Sequence, residues 1–227
     1  MIGIIGAMHE EIVELRELML EKEIKEIAGM KFYTGKLNGK ECVLVESGIG
    51  KVNAAICTTL LINRFNSKKI IFTGVAGGVD PVLNVGDIVI SDDLVQHDVD
   101  VTAFGCKYGE IPRMNNSFFK ADKLLSEKAY SAAKKIFPEK NVVKGRVLSG
   151  DQFVSSAEKT KWFQDIFNGA CVEMEGASVA HVCHLFNTPF VVIRSISDKA
   201  DHSAGVDFNT FKHEAARVSK EIVMNII

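Results

Sequence analysis

Two carboxylates two residues apart, Glu173 and Glu175 in the stretch Val172-Glu173-Met174-Glu175-Gly176-Ala177, stand in one of the least polar parts of the chain. An unpaired buried charge is costly, so acids placed there are paired, exposed or used. They fall where a strand pattern hands over to a helix pattern, and either could simply favour the positive end of the helix dipole. The next apolar strand ends Arg194-Ser195-Ile196-Ser197-Asp198, which brings Arg194 and Asp198 toward the same edge. Two acids, an arginine and neighbouring glycines around one mouth suit a polyhydroxylated ligand. Carboxylates accept hydrogen bonds from sugar hydroxyls, and Arg both donates and offsets charge. Glu10, Glu11 and Glu14 in the first helix could also serve only the dipole. At about 100° per residue, however, Glu11 falls at the edge of the apolar stripe while Glu10 and Glu14 point away. Glu11 is thus the candidate buried general base.

The elements that must position these groups alternate along the chain. Ile2 to Ile5 reads as a buried strand, and residues 8–19 follow with apolar positions at helical spacing. Residues 30–37 and 40–47 flank Asn38-Gly39, a strong type I′ hairpin signal. Helix and strand patterns then alternate to the closing helix over 208–226. This predicts an α/β fold: a single domain, 1–227, with a central mixed β-sheet flanked by helices. Ligands in such folds bind beyond the carboxyl ends of strands. Four ends here are rich in Gly or polar residues: 6–8, 47–50, 73–78 and 195–198. The segment 92–116 has the weakest periodicity; a loop that long is commonly an interface or a lid, and on pattern alone an ordinary surface excursion fits it equally well.

Composition removes several classes of function. The 227 residues carry 27 basic and 29 acidic side chains, net −2, with no basic block. Charge-driven binding to nucleic acid or an anionic membrane is therefore not expected. The 18-residue uncharged run from Gly176 to Ile193 contains two His and is interrupted by Asn187-Thr188-Pro189, so it reads as a helix and a strand, not a span. Five cysteines without a C-x-x-C pair predict reduced thiols in a soluble cytoplasmic protein. His181 and His184, three apart, and the His97-Asp98-Asp100 group lack the further ligands a metal would require. Gly48-Ile49-Gly50-Lys51-Val52-Asn53 lacks the third Gly of a dinucleotide loop and the Ser or Thr of a P-loop.

The ordered set GIIGAMHEE, SGIGKVNAA, TGVAGG, GDIVISD, HDVDVTAFG, SGDQFV, VEMEGA, AHVC, PFVVIRSISDKAD and DFNTF resembles the 5′-methylthioadenosine/S-adenosylhomocysteine nucleosidases over nearly the whole chain. The resemblance implies a purine nucleoside phosphorylase-like fold, a homodimer, and no metal or organic cofactor. The activity implied is hydrolysis of the N-glycosidic bond of 5′-methylthioadenosine and S-adenosylhomocysteine, and of 5′-deoxyadenosine. Products would be adenine and a 5-substituted ribose, in methionine salvage and recycling of S-adenosylmethionine by-products. By the same resemblance Glu11 activates water and Asp198 is the acid. Met174 and Glu175 meet the ribose with Arg194 close by, and Ser197 is a further substrate-binding residue. Phe153 and the Val154 backbone frame adenine, and Gly77 lies against the substrate. Met8, Ile49, Met174 and Phe208 form the wall around the 5′-thioether, while Phe104 and Pro112 reach across a dimer interface. Cys106, Val75 and Gly176 depart from residues common at those places.

These residue types suit the reaction. Cleavage builds positive charge on the sugar and negative charge on the base, and both need stabilising chiefly in the transition state. A protonated Asp198 would donate toward adenine N7, an ionised Glu11 would take a proton from water, and an ionised Glu175 would favour a cationic sugar. A phosphorylase of the same fold would need cationic side chains or amides for phosphate, where this chain offers Met8-His9-Glu10-Glu11. A non-catalytic nucleoside-binding protein would need neither Glu11 nor Asp198.

Overall fold

The computed structural model describes residues 1–227 apart from the side chain of Lys212. Strand β1 (Ile2–Gly6) is buried on both faces, as its continuous apolar run predicts for a central strand. Helix α1 (His9–Leu18) leads into a meander of β2 (Leu20–Ile27), β3 (Met30–Leu37) and β4 (Lys40–Glu46). The β3–β4 turn has φ of 46° at Asn38 and 72° at Gly39, the left-handed pair that the hairpin signal predicts. Periodicity did not single out β2. Its charged, exposed side chains give no apolar pattern, and pairing with β3 along an edge makes it a strand.

Beyond the meander come α2 (Lys51–Asn63), β5 (Lys69–Gly78), β6 (Ile88–Gln96), the short β7 (Phe119–Lys120) and α3 (Lys123–Ile136). The chain closes with β8 (Val142–Ser149), α4 (Ala157–Phe167), β9 (Gly169–Glu173), α5 (Gly176–Leu185), β10 (Phe190–Asp198) and α6 (Ala204–Ile226). All strands form one mixed sheet in the order β10-β6-β8-β9-β5-β1-β4-β3-β2, with β7 on β6 and a further pairing of β10 with β5. That extra pairing turns β5, β10, β6, β8 and β9 into a closed ring. The ring shuts where Gly77 and Gly78 meet Val172 and Cys171. Two of the Gly- or polar-rich strand ends are themselves strand: β5 runs on through 73–78 and β10 through 195–198. The long loop correspondingly begins at His97 and not at Asp92, since β6 runs to Gln96.

Helices cover both faces. One core packs Phe72, Leu61, Cys57 and Cys183 under α2 and α5, and another packs Ile4, Leu15, Leu44 and Ile222 under α1 and α6. All five cysteines are free; 42, 57, 171 and 183 are buried and their thiols are pushed up by burial, whereas Cys106 in the long loop is partly exposed. Among the described residues no helix is long and apolar enough to cross a membrane. His181 and His184 both pack on the Phe119 ring, a structural use for the pair.

Candidate active site

The carboxyl ends of β1, β5, β9 and β10 surround a cleft of about 370 Å³, a size suited to a small ligand. Its lining is mostly apolar. Glu11, Glu173, Glu175 and Asp198 are the ionisable groups that reach it.

Glu11 enters from the first turn of α1, which begins directly after the β1 end. Its Oε2 accepts from the N–H groups of Ala7 at 2.6 Å and Met8 at 3.0 Å, and Oε1 accepts from Val75 N–H at 3.0 Å. The carboxylate therefore caps its own helix and also reaches β5, so the dipole role and the site role coexist. Burial pushes its pKa up, against the pull of Arg194 and the three N–H donors. Room for it exists because residue 74 is Gly: a Cβ there would lie 2.5 Å from Glu11 Oε1 and 3.0 Å from Arg194 Nη1.

Asp198 ends β10 opposite Gly77. Its Oδ1 accepts from Ala200 N–H and its Oδ2 from Ser197 Oγ, both at 2.8 Å. Burial raises this carboxyl above the usual range despite those two donors. A Cβ at residue 77 would come within 2.8 Å of Asp198 Oδ1. One strand, β5, thus leaves side-chain space at two points, one for each acid.

The two glutamates of the β9–α5 junction divide. Glu173 is paired: its Oε2 lies 2.5 Å from Arg194 Nη2, it accepts from Gly176 N–H at 2.8 Å, and Ser149 Oγ donates to its other oxygen. Among the described residues Glu175 accepts from one donor, Gly50 N–H, at 2.7 Å from Oε1. Burial, and then repulsion from Glu173, push Glu175 up to about 8. Burial and the Glu173 charge thus pull against the ionised form expected of Glu175.

Arg194 also departs from expectation. It is 1% exposed, its guanidinium lies 4.0 Å from the centre of the Phe72 ring, and it is absent from the cleft lining. It sits behind the wall, held between Glu173 and Glu11 and stacked on the Phe72 ring. Removing one partner of a buried pair leaves the other charge uncompensated. Arg194→Met is accordingly expected to cost about 3–5 kcal/mol of stability, read from urea unfolding. A loss below about 1 kcal/mol would mean that the pair is not buried in solution.

Of the other residues singled out from the sequence, Met8, Ile49, Gly77, Phe153, Met174, Ser197 and Phe208 all line the cleft. Phe153 and Phe208 meet edge to face with centroids 5.8 Å apart, making one aromatic side of the mouth. Val154 does not line it; its side chain packs in a third core with Phe163 and Phe167. Phe104, 87% exposed, and Pro112 also lie outside the lining, on the long loop. Sequence reasoning missed Ala7, Ala76 and Val172, whose small or apolar side chains carry no chemical signal beyond their place at strand ends. No three His, Cys, Asp or Glu side chains among the described residues gather as a metal would need.

Residues 1–227 match the model of the phosphorylase superfamily. A curated relative from Staphylococcus haemolyticus (strain JCSC1435), named 5′-methylthioadenosine/S-adenosylhomocysteine nucleosidase, is 47% identical over 228 residues, covering 100% of this chain and 99% of that one. The solved nucleosidase of the same name from Neisseria meningitidis, in complex with methylthio-immucillin-A, superposes with a TM-score of 0.95 at 42% identity, over 99% of this chain and 97% of that one. The futalosine hydrolase of Helicobacter pylori strain 26695 superposes with a TM-score of 0.94 at 38% identity, over 99% and 96%.

Proposed function

The chain belongs to the phosphorylase superfamily and, within it, to the 5′-methylthioadenosine/S-adenosylhomocysteine nucleosidases, and from that premise we propose that Glu11 and Asp198 divide the proton chemistry of its reaction. The reaction is hydrolysis of the N-glycosidic bond of 5′-methylthioadenosine and S-adenosylhomocysteine, releasing adenine. The observation that carries the division of roles is the pair of buried carboxyl groups on one apolar cleft, each fitted into space that a β5 glycine leaves.

Asp198, raised by burial, keeps a proton to give to N7, so adenine departs neutral. Its Ser197 and Ala200 donors fix the direction of transfer and stabilise the carboxylate once the proton has gone. Glu11 takes the proton of the water that attacks C1′, and its three backbone donors keep it aimed at the cleft. Glu175 meets the ribose hydroxyls. Its carboxylate charge favours the positive charge that develops on the sugar in the transition state. Phe153 stacks on the base, with the Val154 backbone behind it available to the amino edge. Met8, Ile49, Met174 and Phe208 shelter the 5′-thioether, an apolar wall that also fits 5′-deoxyadenosine.

Water is the nucleophile. No Lys or Arg among the described residues lines the cleft, and Glu11 occupies it with a carboxylate. Adenine release from methylthioadenosine is expected to run equally fast in phosphate-free buffer and in phosphate. Strict dependence on phosphate would make the chain a phosphorylase. The same chromatographic assay, run across methylthioadenosine, S-adenosylhomocysteine, 5′-deoxyadenosine and futalosine, ranks the substrates. Preferential turnover of futalosine would favour the activity named for the Helicobacter relative.

The active form is a homodimer in which Phe104 and Pro112 reach toward the second copy's cleft; the 87% exposure of Phe104 supports this. Free, mostly buried thiols support a reducing cytoplasmic setting, and release of adenine from methylthioadenosine there would serve methionine salvage.

A further inference from the structure

Beside the cleft, three segments meet at one mostly buried ion pair. Lys51 Nζ lies 2.8 Å from Asp98 Oδ1, with the side chains 19% and 20% exposed, and it also donates to Gln96 Oε1 at 3.2 Å. The other Asp98 oxygen accepts from Asp151 N–H at 3.1 Å. Asp151 closes the circuit, its Oδ1 accepting from Lys51 N–H at 2.8 Å. On α5, Ser178 Oγ donates to the Lys51 carbonyl at 2.8 Å. Lys51 is therefore tied through its side chain, its N–H and its C=O to three separate parts of the chain. Burial pushes the Asp98 carboxyl up, but Lys51 and the Asp151 N–H outweigh it and hold the group below the usual carboxylate range.

None of these groups lines the cleft, yet their neighbours do. Gly50 gives its N–H to Glu175, and Ile49 before it forms part of the apolar wall. Gly50 sits at φ 97°, a conformation L residues avoid, and a Cβ there would stand 3.2 Å from Asp151 Oδ1. An isolated exposed ion pair would contribute little. Here the pair fixes the residue that follows the Glu175 donor, so its effect is geometric.

We propose that Lys51 and Asp98 are positioning residues for ribose recognition: together with Asp151 they form a clamp that holds the Gly50 N–H against Glu175. The inference rests on Glu175 meeting the ribose hydroxyls, as in the reading above.

The test assays Lys51→Met, Lys51→Arg and Asp98→Asn on methylthioadenosine and on its 3′-deoxy analogue. In Asp98→Asn the new amide faces the Asp151 N–H donor to donor, which opens the circuit without changing size. Lys51→Met and Asp98→Asn are expected to lower kcat/KM on methylthioadenosine about tenfold, carried by KM, because a well-aimed hydrogen bond to a carboxyl is disturbed. Loss on the 3′-deoxy analogue stays under about threefold, since a hydroxyl that Glu175 would engage is missing. Lys51→Arg recovers most of the difference. Equal losses on the two substrates, or no loss on either, would overturn the clamp. If Lys51→Met does not fold, Asp98→Asn decides alone by the same comparison. The unaltered chain is assayed first, and failure to release adenine there would overturn the hydrolase reading together with the clamp.

Discussion

Asp198→Asn is expected to lower kcat for methylthioadenosine about a thousandfold, in the range that loss of a positioned general acid produces. The amide preserves size and still accepts from Ala200 N–H at the position of Oδ1. It has no proton to transfer, so adenine must leave as an anion. The loss should fall on kcat and only weakly on the affinity for adenine, which the aromatic side of the mouth retains. A second signature separates this from disturbed packing. In the unaltered chain the alkaline limb of the pH–rate profile should mark deprotonation of Asp198, whose carboxyl burial displaces upward. Activity is highest while that proton is present and falls as pH rises through the shifted value. The residual activity of the variant should lack that limb. Steady-state kinetics from mildly acidic to alkaline pH would show it, and an unchanged profile would remove Asp198 from its role.

Glu11→Gln should be more damaging, stopping adenine release to within about a ten-thousandth of the starting rate, because no other carboxylate takes its place under C1′. Substrate affinity should survive and can be measured directly by calorimetry, since the variant does not consume the ligand. The geometry adds a structural cost. The native carboxylate receives three N–H donors on two oxygens, whereas Gln has one acceptor oxygen. If that oxygen keeps Ala7 and Met8, its amide group meets the Val75 N–H donor to donor. A modest loss of stability, about 1–3 kcal/mol, should therefore accompany the loss of turnover. Glu11→Gln with near-normal adenine release would refute the assignment.

How far the chain could be read in advance depends on which features have a local signature. Glu11 was legible because helical spacing turned one acid of three inward. The strand ends were legible through their glycines, and the hairpin through Asn38-Gly39. Ring closure of the sheet was not: it depends on two residues of β5 reaching two of β9, about a hundred positions apart, and glycines carry no side-chain pattern. The roles of Glu173 and Arg194 were half legible. Both lay at the correct edge, but that Arg194 pairs with Glu173 from behind the wall is settled only once the strands are assembled. The upward pull on the Glu175 carboxyl depends chiefly on burial, which is not local in sequence. Strand β2, lacking an apolar stripe, is specified by its partner β3 and not by its own residues.

The distribution of sulfur has a practical use. Four thiols lie in the interior, where burial disfavours the nucleophilic thiolate, and the fifth, Cys106, stands partly exposed on the long loop two residues after Phe104. The unmodified chain thereby offers one addressable attachment point for a maleimide fluorophore, next to the segment proposed to meet a second copy. Labelling needs no cysteine deletions, and emission from a dye at Cys106 would report on that segment as subunits are diluted apart or inhibitor is added.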